Sequence, residues 1–170
     1  MSRFSDDALV RALVRQAEAL LDEFLPQQFT LEQLHACVEE RRGRRIEVRS
    51  WPMPAGGPHG LWVVGDMTDY VYVDGNAPAL RYRQILGHEY GHVLFDDQGG
   101  PLPDFAPQLA GDRGAGQRDR VAHVAGARTT PLPTGPWPAD TRGCTRTGYD
   151  EIVEQRCEWF GTVVLQRLSD

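Results

Sequence analysis

The segment His88-Glu89-Tyr90-Gly91-His92 constrains this chain more than any other, because H-E-x-x-H spacing carries chemistry only when it is wound into a helix. At 3.6 residues per turn, side chains four apart stand one above the other, so both imidazoles can reach a single ion. Glu89 lies roughly 60° around the helix from His92, beside a shared ion and not on it. It is therefore placed to act on a water that the ion activates. The pattern predicts a zinc hydrolase, with a peptidase as the first reading. Gly87 and Gly91 strengthen it, since each glycine inside a helix costs about 1 kcal/mol relative to alanine and two histidines on a surface helix leave that cost unexplained. Spaced four apart, they form one smooth stripe on which another backbone can rest.

A chain of 170 residues is the size of one domain with a real core, so residues 1–170 are expected to form a single unit. Its net charge of −6 disfavours a standing affinity for nucleic-acid phosphates. The run Arg41, Arg42, Arg44, Arg45 alternates into Ile46 and Val48, which fits the solvated side of an edge strand better than a nucleic-acid patch. Cys37, Cys144 and Cys157 are odd in number and form no C-x-x-C pair, which argues against a disulfide framework or a cysteine zinc knuckle and for the cytoplasm. Asp6, Asp7, Arg11 and Arg15 interrupt any apolar leader, and no stretch approaches membrane-spanning length, so no membrane association is expected.

Leu9, Val10, Leu13, Val14, Ala17, Leu20, Leu21 and Phe24 repeat at helical spacing until Pro26, which predicts an amphipathic packing helix. Thr30 and Gln33 have capping-box spacing, and Leu31, Leu34, Cys37 and Val38 give a second short helix that ends at Gly43. His35 within it reads as a surface or capping residue, and Trp51 to Gly60, with His59, as a Pro/Gly loop. Arg44–Arg49, Leu61–Val64 and Tyr70–Val73 are rich in β-branched and aromatic residues, which predicts a small three-stranded antiparallel sheet with a hairpin across Gly65 to Asp69. A helix then opens near Pro78 and runs through the H-E-x-x-H segment to Phe95. Between Gln98 and Tyr149, Gly and Pro supply 16 of 52 residues, which predicts a loop-rich insertion at about 98–149 with a helical turn near Arg118 to Ala127. Asp150 opens a last helix whose core stripe is Val153, Cys157, Phe160, Val164 and Leu168, with Cys157 read as a small buried hydrophobe. The fold class is α+β.

Two histidines leave zinc short of the three protein ligands that catalytic sites supply. Gln98 stands six residues past His92, where one class of such enzymes carries a third histidine, and His123 has no supporting pattern. Glu151, Glu154 and Glu158 share one side of the last helix and offer a ligand together with a carboxylate that could orient a histidine. A solvated helix face is the plain alternative for the three glutamates.

Arg83 to Phe95, RQILGHEYGHVLF, and Tyr149 to Leu165, YDEIVEQRCEWFGTVVL, resemble the two signatures of the ImmA/IrrE-like (IrrE N-terminal-like) metallopeptidases. The second signature of that family reads approximately E-x-x-A-[DEN]-x-[FI]-A, and Glu154, Cys157, Glu158, Phe160 and Gly161 fall on its positions. A looser likeness upstream takes in the first two helices and the strands that begin at Gly43-Arg-Arg-Ile and Gly60-Leu-Trp, and so covers most of the chain. The small actinobacterial members encoded beside helix-turn-helix regulators, some described as toxins of toxin-antitoxin pairs, are the most similar. The resemblance implies a zincin-like domain of gluzincin type: His88, His92 and Glu154 as zinc ligands, Glu89 as general base and Glu158 as support behind a ligand. Cys157 and Gly161 depart from the usual alanines, which reads as a modest packing change, and the 61 residues between His92 and Glu154 are more than most members carry.

The expected function is zinc metalloendopeptidase action on a partner protein, a helix-turn-helix repressor or antitoxin encoded nearby. Tyr149, Tyr82 and His123 are all available to stabilise an oxyanion. A different class remains open beside it: a non-catalytic zinc-binding interaction module, or the toxin of a toxin-antitoxin pair that acts by binding its partner. Glu89 weighs against a purely structural ion, which needs a fourth protein ligand and no base.

Overall fold

Local signals set most of the helices in this computed structural model, which describes residues 3–65, 67–95, 120–125 and 146–169. Helix α1 (Arg3–Asp22) buries Leu13, Ala17 and Leu21, one per turn, from the expected stripe. Helix α2 (Leu31–Arg42) has the full capping box: Gln33 N–H donates to Thr30 Oγ1 at 3.3 Å and Thr30 N–H to Gln33 Oε1 at 2.9 Å. Such a cap stabilises a helix by about 1 kcal/mol. Gly43 closes α2 at φ 65°, a left-handed turn that side chains with a Cβ resist, and its N–H donates to the Glu39 and Glu40 carbonyls.

Strands β1 (Arg45–Trp51), β2 (Gly60–Val64) and β3 (Thr68–Asp74) lie where the β-branched runs predict them, and β2 and β3 form the expected antiparallel hairpin. The sheet as a whole departs from the expectation. It is mixed and has four strands in the order β1-β3-β2-β4, with β1 parallel to β3. Direct β1–β2 pairing calls for a tight turn, whereas the eight residues 52–59 are long enough to step past a strand about 5 Å wide. Charge pairing then draws the start of β1 to the start of β3. Asp69, fully buried, meets Arg42 Nε at 2.9 Å and Arg44 Nε at 3.0 Å and accepts from Trp62 Nε1 at 3.2 Å. Arg42 and Arg44 are thus engaged within the fold, which corrects the solvated reading of the arginine run for these two. Arg41 lies over the Phe24 ring.

The fourth strand, β4 (Arg120–Ala125), replaces the helical turn expected near 118–127 and pairs antiparallel with β2, its register shifting between Trp62 and Val63. The outer edge of β2 offers unpaired backbone groups, and the segment RVAHVA carries β-branched valines that suit a ladder there. The remainder of the expected insertion at about 98–149, up to Thr145, lies outside the described residues. The last helix, α4 (Arg146–Arg167), opens four residues before the predicted Asp150.

Trp62, Val71 and Val73 point from the sheet into a core shared with Ile85, Leu86, Tyr90 and Val93 of helix α3 (Ala79–Phe95) and Phe160, Val163 and Val164 of α4. Leu61, Val63, Tyr70 and Tyr72, on alternate positions, form a second cluster with Met53 on the other face. The end of α4 is tied to the α1–α2 connection, where Phe29 N–H donates to the Arg167 carbonyl at 3.2 Å and Ser169 N–H to the Phe29 carbonyl at 2.9 Å. The fold is therefore α+β, with α3 held between the sheet and α4.

Candidate metal centre

The glycine stripe is what lets α3 and α4 come together. A Cβ on Gly87 would stand 3.1 Å from Gly161 Cα, and one on Gly91 would stand 3.3 Å from Cys157 Cα. One on Gly161 would lie 2.8 Å from the Gln84 carbonyl oxygen and 2.9 Å from His88 N, backbone atoms that cannot swing aside. At this crossing Gly161 is more than the modest packing change expected of that position. It sets how closely α4 approaches His88.

That approach brings the side chains together. His88 and His92, both buried, converge with Glu154 so that one ligating atom from each lies within 4.8 Å of the others, a group that could hold a metal ion. The separations are 3.0 Å between the two Nε2 atoms, 3.5 Å from His88 Nε2 to Glu154 Oε2 and 3.9 Å from His92 Nε2 to Glu154 Oε1. Bonds of about 2.0–2.2 Å in a tetrahedral arrangement set ligand atoms roughly 3.4 Å apart, and these separations, which reach the two rings through different Glu154 oxygens, fall on either side of that value. Of the three glutamates left open by the pattern on α4, Glu154 completes this trio.

Glu158 stands one turn further along α4, with Oε2 3.3 Å from His88 Nδ1 and Oε1 accepting from Gln84 Nε2 at 3.2 Å. It holds the back of the His88 ring, the place expected for a carboxylate that orients a ligand. Burial would lower the His88 pKa, but hydrogen bonds to Glu154 and Glu158, with the charges of Glu89 and Glu154, push it up to about 10. The same bond to His88 holds the Glu158 carboxyl below its ordinary range. A proton on His88 Nε2 can donate to His92 Nε2, which leaves His92 as the acceptor of the pair.

Glu89 is fully buried. Its carboxylate lies against Gly60, the first residue of β2, where an added Cβ would collide with Glu89 Oε1 and come within 2.8 Å of Ile85 Cγ2. Gly60 thereby supplies space for the acid, a role that a glycine at a strand start does not reveal in sequence. Tyr90, between the acid and the second histidine, points the other way: its Oη is 2.5 Å from His35 Nδ1 of α2. Burial pushes the Tyr90 hydroxyl well above its ordinary pKa, so it keeps its proton beside the imidazole. His35 is accordingly a partner of the α3 core and not merely a capping residue, while His59 is an exposed loop residue 3.9 Å from Asp74 Oδ2.

Of the oxyanion candidates, Tyr82 packs against the main core, and the side chains of His123 and Tyr149 lie outside the described residues. The backbone of β4 nonetheless brings Ala125 opposite Gly60 and His123 opposite Trp62, so β4 is the sheet edge on the Glu89 side. Among the described residues, no helix is long and apolar enough to cross a membrane. Family models, curated proteins and solved structures all return no match to this chain.

Proposed function

We propose that this chain is a zinc metalloendopeptidase of the ImmA/IrrE type, a gluzincin-like enzyme with a zincin-like fold, acting in the cytoplasm on a helix-turn-helix regulator encoded nearby. The observation that carries the reading is the convergence of His88, His92 and Glu154 beside a buried acid, Glu89, that is not in the trio. Two imidazoles and one carboxylate are a donor set that suits zinc and leaves a coordination position for a reactant. Zinc held there supplies Lewis acidity, polarising a carbonyl and bringing the acidity of water near neutrality.

The remaining work falls to the side chains. Glu89 takes the proton from the attacking water and passes it to the departing amine nitrogen. Glu158 fixes the His88 ring, and burial of Glu89 and His92 shields the transfer from bulk water. The β4 edge offers an extended polypeptide a line of backbone partners beside Glu89, which favours a peptide over a small amide as substrate.

Incubation with the co-encoded regulator, read by intact-protein mass spectrometry, tests the proposal. Zinc-dependent fragments that vanish with chelator are expected. A regulator that binds and remains uncut with zinc present would instead favour the interaction module or toxin reading.

A further inference from the structure

An imidazole that presents Nε2 to a metal ion carries its proton on Nδ1, and that N–H needs an acceptor if the ring is to hold one tautomer and one orientation. His88 has such an acceptor in Glu158. Behind His92 the corresponding atom is sulfur: Cys157 Sγ lies 3.4 Å from His92 Nδ1, and Cys157 is fully buried. The contact depends on Gly91, whose missing Cβ would stand 3.3 Å from Cys157 Cα, Cβ and Sγ. Two rings four residues apart are therefore backed from α4 by adjacent residues, Cys157 and Glu158.

We propose that Cys157 is a positioning residue that accepts the Nδ1–H hydrogen bond of His92 and so keeps Nε2 free to ligate. This rests on the metallopeptidase reading and adds to it a division of labour between the two rings. The carboxylate behind His88 makes that ring the more basic donor, whereas the thiol, a weak neutral acceptor, orients His92 without adding charge to a site already rich in acid. An alanine at 157 offers Nδ1–H no acceptor. A purely apolar role for Cys157 predicts that removing the sulfur changes packing alone.

The experiment compares wild type with Cys157→Ala and Cys157→Ser. Nitrogen and proton NMR of labelled histidines in the metal-free protein reads the His92 tautomer and, through the Nδ1–H proton shift, the hydrogen bond behind the ring, and competition against a chromogenic chelator reads zinc affinity. Wild type is expected to hold His92 as the Nδ1–H form. In Cys157→Ala the His88 Nε2–H still faces His92 Nε2 and keeps the tautomer, but the His92 Nδ1–H proton loses its hydrogen-bonded shift and zinc binds about tenfold more weakly, within the range for lost supporting partners. Cys157→Ser, whose hydroxyl also accepts, retains a hydrogen-bonded Nδ1–H shift and stays within about threefold in affinity. An Nε2–H tautomer of His92 in wild type overturns the proposal without any variant, as does an alanine variant matching wild type in both readouts. Failure of wild type to bind zinc sinks the metallopeptidase reading instead, and the comparison of Nδ1–H shifts still decides the role of Cys157.

Discussion

Two charge clusters in this fold, each with a buried carboxylate at its heart, are built to opposite plans. At the start of the sheet, a single carboxylate, Asp69, is met by two guanidinium groups and an indole N–H, so the fold supplies its own counter-charge. At the α3–α4 crossing, Glu89, Glu154 and Glu158 gather around two histidines. Removing charges from water without compensation is costly, so the first cluster closes on itself, whereas the second brings together a group that could hold a cation. On the proposed function, the difference separates a cluster that holds the fold from one that serves a reaction.

Four measurements press on that contrast. The largest effect is expected from Glu89→Gln, which keeps the shape and removes the base: zinc still binds and turnover of the regulator falls about 10²- to 10⁴-fold. Turnover near wild type would remove Glu89 from its assigned role. In denaturant unfolding, Asp69→Ala should cost about 3 kcal/mol, the low end for breaking a buried pair because its arginines are partly solvated. Glu154→Gln, measured without metal, should move stability by less than about 1 kcal/mol yet abolish tight zinc binding. Equal losses in the two variants would erase the distinction.

Gly161→Ala comes next, forcing α4 away from the Gln84 carbonyl and His88 N at a cost of about 1–3 kcal/mol and loosening zinc binding in proportion. Unchanged stability would mean that the crossing is looser than its geometry. The smallest effect concerns protons. With its pKa pushed up to about 10, His88 holds a proton at neutral pH in the metal-free protein, so zinc uptake must release it. Affinity therefore climbs as pH rises towards that value, and calorimetry at pH 8 in buffers of different ionisation enthalpy should count about one released proton. Uptake without release contradicts the raised pKa.

Much of this site was legible because its signals are local. Helical period alone stacks His88 over His92 and sets Glu89 aside, and Gly87 and Gly91 announce a close neighbour on α3. Thr30, Gln33 and Gly43 mark both ends of α2 through bonds spanning only a few residues. Legibility ended where partners lie far apart in the chain. Spacing left Glu151, Glu154 and Glu158 equivalent, and the rotation of α4 against α3 was needed to separate them. Parallel pairing of β1 with β3 depends on Asp69, 27 residues from Arg42, and the Cys157–His92 contact spans 65 residues.

By itself, then, the chain's order of residues determined where its main helices and three of its strands lie, and which side chains on α3 can share an ion. Those outcomes follow from backbone periodicity and short-range hydrogen bonds, which depend little on the rest of the molecule. The tertiary structure decided the strand order, the glutamate that joins the histidines and the atom behind each ring. Each of these depends on how two surfaces meet, and the bare backbone at Gly87, Gly91 and Gly161 sets how closely α4 can approach.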